Sequence, residues 1–151
     1  MARLVLTNCK ITINAVDLSD YISSVSLGST WDVIETTAFG NTGDPYGVPP
    51  TGANTPTAAK SRVAGLVDNS VSLEFHQDFA ANEVEATIFP LLGYLTNVVV
   101  QPVDAATTAA NPSYSFLALI SEWTPLNGAV GELATASVTW PISGAIAKAT
   151  S

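Results

Sequence analysis

Asn69-Ser70-Val71-Ser72-Leu73-Glu74-Phe75-His76-Gln77-Asp78 alternates polar and apolar residues without a break from Ser70 to His76. A period of two puts Val71, Leu73 and Phe75 on one face of a strand. Ser72, Glu74, His76 and Asp78 fall on the other face. A strand with one apolar and one wet face belongs in an antiparallel sheet, half buried. That reading places the chain among β proteins and sets the frame for its neighbours.

Downstream, Asn82 is suited to cap a helix, and Glu83 and Glu85 sit in its first turn, where the helix dipole favours anions. Val84, Ile88 and Leu91 recur at helical spacing. Pro90 and Gly93 hold the helix, over 82–92, to a few turns. Val98-Val99-Val100 reads as a short strand, and Gln101 to Pro112 as a loop. Tyr114 to Trp123 carries apolar residues on both faces, as a strand covered on both sides would. Turn chemistry fills Thr124 to Glu132. Leu133 to Ile142 is again a strand, with Ala134, Ala136, Val138 and Trp140 on one face. The tail after Gly144 has no strong pattern.

Upstream, Lys10-Ile11-Thr12-Ile13-Asn14 alternates and is β-branched, so it predicts a strand. Asp17-Leu18-Ser19-Asp20 is turn chemistry. Tyr21 to Leu27 is a strand-like run that Gly28-Ser29 breaks, and Trp31 to Thr37 is a further one, with Trp31 and Val33 marking one face. About six to eight strands with one short helix predict a mainly β fold, an antiparallel β-sandwich with the helix on its flank. Trp31, Trp123 and Trp140 each lie in or at the end of a strand, where core packing is the first expectation.

Ala38 to Ser61 interrupts this pattern. It holds four of the ten glycines and four of the nine prolines. Asp44 and Lys60 are its charged residues, and no apolar period runs through it. Long loops inside a compact domain usually serve a function or are disordered. Phe39 and Tyr46 stand out as aromatics in a polar loop, suited to anchor a partner protein.

The length of 151 residues fits one domain, 1–151. Cys9 is the single cysteine, so no intrachain disulfide forms. The apolar start turns polar at Thr7-Asn8, and no run approaches a membrane span, so neither a signal peptide nor membrane insertion is expected. The net charge is −8, from 13 acids and 5 bases. From Val63 to Ala147 there is no Lys or Arg. Sequence-independent nucleic-acid binding relies on such residues neutralising phosphates, so this chain would repel a polyanion. An acidic surface also serves solubility alone.

Chemistry-bearing constellations are sparse. His76 shares a strand face with Glu74 and Asp78, but strong zinc sites need more His or Cys, so no metal is expected. Glu83 and Glu85 are two apart on a helix and do not face each other. Cys9 lacks a neighbouring base in sequence, and no Gly-x-Ser-x-Gly elbow or phosphate loop is present. Neither catalysis nor a cofactor is expected.

Several motifs then coincide in order. They are Ile13-Asn14-Ala15-Val16-Asp17-Leu18-Ser19-Asp20, Asp32-Val33-Ile34-Glu35-Thr36-Thr37-Ala38-Phe39-Gly40 and Ala64-Gly65-Leu66-Val67-Asp68 followed by Val71 to Phe79. A fourth is Trp123-Thr124-Pro125-Leu126-Asn127-Gly128 through Ala134, followed by Ser137 to Gly144. Together they resemble the major tail tube protein of long-tailed (siphovirus-like) bacteriophages, from about Ile11 to Gly144. Ala15 departs from the glycine usual there. The resemblance implies a structural virion protein, assembled in the host cytoplasm into six-membered rings that stack into a hollow tube. Double-stranded DNA would pass through without specific binding. Partners would be further copies of the chain, the tape measure protein in the lumen, and terminator and baseplate proteins at the ends. It also implies that the loop 38–61 orders on assembly and reaches the neighbouring subunit or ring. Period two and charge offer Asp32, Glu74 and Asp78 as acids facing the lumen. Two other readings stay open: another β-sandwich virion part (tail terminator, head decoration or baseplate ring protein), or a carbohydrate-binding module using Trp31 or Trp123.

Overall fold

The computed structural model describes residues 3–37 and 60–151. Among these residues there are seven strands: β1 (Lys10–Ile13), β2 (Val16–Asp17), β3 (Ile22–Glu35), β4 (Arg62–His76), β5 (Leu95–Gln101), β6 (Ser113–Leu119) and β7 (Thr135–Ala149). The helix α1 (Val84–Ile88) runs into a 3-10 turn at Phe89–Leu91. The strands pair as one antiparallel sheet in the order β2-β1-β5-β6-β7-β4-β3. The mainly β reading with one short helix holds.

The chain divides into two compact units, Met1–Ser29 with Asn69–Ser151, and Thr30–Asp68. The larger unit owns the core. Val71, Leu73 and Phe75 are buried, as their alternation predicts. They meet Ile11 and Ile13 of β1, Val98 and Val100 of β5, Phe116 and Ala118 of β6, and Ala136, Val138 and Trp140 of β7. Each large side chain so buried contributes roughly 1.5–3 kcal/mol. Register is fixed by the same alternation, with Val71 opposite Trp140, Leu73 opposite Val138 and Phe75 opposite Ala136. A one-residue slip would turn Glu74 inward and Phe75 outward.

Side chains fix the helix to this core. Val84 and Ile88 are buried. Glu85 accepts hydrogen bonds from Trp123 Nε1 at 2.6 Å and Gln77 Nε2 at 3.1 Å, and Gln77 Nε2 also reaches the Pro125 carbonyl at 2.7 Å. The Trp123 ring stands edge-on to Phe75, centroids 5.3 Å apart. Thus Glu85, expected only to complement the helix dipole, joins the helix to the segment after β6.

Several expectations are corrected. Asn82 is not the cap: its φ is +65°, and Glu83 holds the cap position without a side-chain bond. The α-helix is shorter than 82–92, because Pro90 enters the following 3-10 turn. β3 does not break at Gly28-Ser29, since ladder pairing overrides a weak local preference. β6 ends at Leu119 and is covered on one face; Leu117 is 46% exposed. β7 continues past Gly144, whose φ of +85° suits glycine, and Asn69 Nδ2 donates to the Gly144 carbonyl at 2.9 Å. Trp140 is in the core and Trp123 packs against it, but Trp31 is exposed.

Candidate assembly surfaces

The Thr30–Asp68 unit consists, in its described part, of the end of β3 and the start of β4. Their far ends are tied by Thr36 N–H to the Ser61 carbonyl at 2.8 Å and Ser61 N–H to Thr37 Oγ1 at 2.9 Å. Lys60 Nζ lies 3.9 Å from Glu35. Gly65 sits where a Cβ would meet Ile34 Cδ1 at 2.8 Å and Asp32 Cβ at 3.1 Å. Position 65 therefore shares a face with Asp32 and Ile34. By alternation Trp31 and Val33 share the opposite face with Ala64, Leu66 and Asp68. On that face Trp31, Val33 and Leu66 are 55, 69 and 81% exposed. Grouped exposed apolar side chains mark interaction sites more often than single ones do. The sequence places Trp31 and Val33 on one face, but the expectation of core packing for Trp31 is not met, and Leu66 was not foreseen beside them.

The larger unit holds an apolar groove of about 520 Å³. Leu6, Cys9, Val25, Leu27, Tyr114 and Ile146 line it, and Lys148 is its one charged lining residue. Burial pushes the Cys9 thiol above its ordinary pKa, and Sγ donates to the Gln101 carbonyl at 3.1 Å. A thiol so placed is a poor nucleophile.

The acids expected at a lumen occupy three different settings. Glu74 is exposed on the outward face of β4, opposite Ser137 and beside the bonded pair Ser72 and Thr139. Asp78 lies past the end of β4, where Oδ1 accepts from Ala80 N–H at 2.8 Å. The carboxylates of Glu83, foremost, and Asp78 push the pKa of the Tyr21 hydroxyl up to about 12. Asp32 belongs to the smaller unit. Phe39 and Tyr46 lie outside the described residues. Among the described residues no three His, Cys, Asp or Glu side chains gather as a metal site around His76 or elsewhere. No described helix is long and apolar enough to cross a membrane.

The fold is shared with chains of tail and tail-like particles. One comes from the tail of an empty GTA particle, refined helically with C6 symmetry: TM-score 0.54, 13% identity, 86% of this chain against 83% of that one. A second is in the anti-feeding prophage cap, a tube terminating cap: TM-score 0.63, 12% identity, 100% against 93%. A third is in the six-fold symmetrised anti-feeding prophage baseplate: TM-score 0.56, 12% identity, 99% against 98%. At such identities the likeness establishes the fold. No protein-family model and no curated protein matches the sequence.

Proposed function

We propose that this chain is a non-enzymatic structural subunit of a phage-type tail, one domain over 1–151 that forms six-membered rings stacked into a hollow tube. The observation that carries this is the fold shared with the C6-symmetric GTA tail over most of the chain. The order of motifs in the sequence supports it, and so does the charge. A conduit for double-stranded DNA must not hold its cargo, and a wall poor in Lys and Arg gives phosphates no partner. In this reading Glu74, Asp78 and Asp32 are the acids assigned to the lumen. The loop 38–61, with Phe39 and Tyr46 as anchors, joins subunits. Being nearly uncharged, that loop loses little charge solvation on docking. A tape measure protein would occupy the lumen before ejection, with terminator and baseplate proteins at the ends. Negative-stain microscopy of the purified protein tests the proposal. Rings or tubes are expected, alone or on a tail scaffold; a protein that stays monomeric and never joins a tail overturns it.

A terminator is the second reading, favoured by the full-length likeness to the tube terminating cap. Copy number decides between them: a tube subunit is present in many rings per particle, a terminator in one.

A further inference from the structure

We propose that the apolar face of the Thr30–Asp68 unit of one copy seats in the Cys9 groove of a second copy, with Asp68 against Lys148. This rests on the reading that the chain assembles with itself, and it names the two surfaces that meet.

The first surface is the face on which Trp31, Val33 and Leu66 are exposed. Asp68 lies on that face by alternation from Leu66 and is exposed. The second surface is the groove of about 520 Å³, roomy enough for large apolar side chains. Charge selects the occupant. Copies that each carry −8 repel one another over their general surface. Lys148 is one of only five bases and is the one charged residue lining the groove. Among the described residues neither Lys148 nor Asp68 has an ion-pair partner; the pairs present are Lys10 with Asp104 and Lys60 with Glu35. An apolar face carrying a carboxylate thus matches an apolar groove carrying an ammonium. Such complementarity fixes orientation and suppresses wrong pairings. The contact uses different patches on the two copies, so each copy both gives and receives, and a closed ring or an open stack results.

Charge exchange tests the pairing. Asp68→Lys and Lys148→Asp change exposed residues, and circular dichroism checks that each variant is folded. Each single variant is expected to raise the concentration needed for assembly about tenfold, and the double variant to restore it. In the unaltered protein, maleimide labelling of Cys9, the only cysteine, is expected to slow about tenfold once assembled, because the groove is covered. Single variants that assemble normally, a double variant no better than the singles, or Cys9 labelling unchanged by assembly would each overturn the pairing. If the unaltered protein assembles while any of these holds, only the groove assignment falls. If it does not assemble at all, the tail reading falls with it.

Discussion

Thr96 is buried in β5, and its hydroxyl has no hydrogen-bond partner among the described residues. A buried unpaired hydroxyl costs about 1–3 kcal/mol, and a residue of the same shape without it removes that cost. Thr96→Val should therefore stabilise the protein by roughly 1 kcal/mol, read as a rise in Tm of about 2–4 °C for a chain of this size. An unchanged or lower Tm would show that the hydroxyl is satisfied. Asp17 gives a pH signature. Its carboxylate accepts from the Ser19 hydroxyl and, at 3.0 Å, from the Ser19 N–H; chiefly the hydroxyl bond holds its pKa below the ordinary value. A lowered folded pKa contributes stability that is complete above the unfolded value of about 3.9 and lost as pH falls through the folded one. The stability gap between the protein and Asp17→Asn should stay flat from neutral pH to about 5 and close below about 4 in urea titrations. Because the carboxylate is exposed, the gap should be under about 1 kcal/mol.

At the scale of elements, legibility followed burial. Val71 to Phe75 could be read because one face meets a core and the other meets water, so the alternation records the environment. Ala136 to Trp140 repeats this. The Trp31 to Ile34 end of β3 could not be read this way: an apolar residue that awaits a partner has the same composition as one already covered. The helix was placed correctly by Val84 and Ile88, but its cap was not, since Asn82 adopts a positive φ, which asparagine tolerates nearly as well as it caps. Phe39 and Tyr46 lie beyond the described residues. Glu85 shows what spacing omits, because its partners Trp123 and Gln77 are distant in sequence and near only in the fold. Glu85→Ala leaves two half-buried donors without their charged acceptor. The expected loss is about 1.5–3 kcal/mol, with Glu85→Gln milder, measured by chemical denaturation. A loss below about 0.5 kcal/mol would mean that water replaces the carboxylate.

At the scale of the whole molecule, none of the described core residues comes from the Thr30–Asp68 unit. They come from β1, from β4 to β7, from α1 and from Leu18 and Ile120, all in the larger unit. Deleting Thr42 to Ala58 should therefore leave the monomer folded, with Tm changed by only a few degrees, while polymerisation seen by sedimentation is lost. Tubes formed by the deleted protein would remove the loop from the joint.

The placement of the three tryptophans has an optical consequence. Trp140 is enclosed and Trp123 is held by Phe75 and Glu85, so their surroundings stay constant between free and assembled chains. Trp31 alone of the three stands in water, on a surface assigned to a neighbour. Leaving water for an apolar contact shifts indole emission to the blue. The protein thus carries its own fluorescent gauge of polymer growth: a blue shift that follows light scattering, absent from Trp31→Phe.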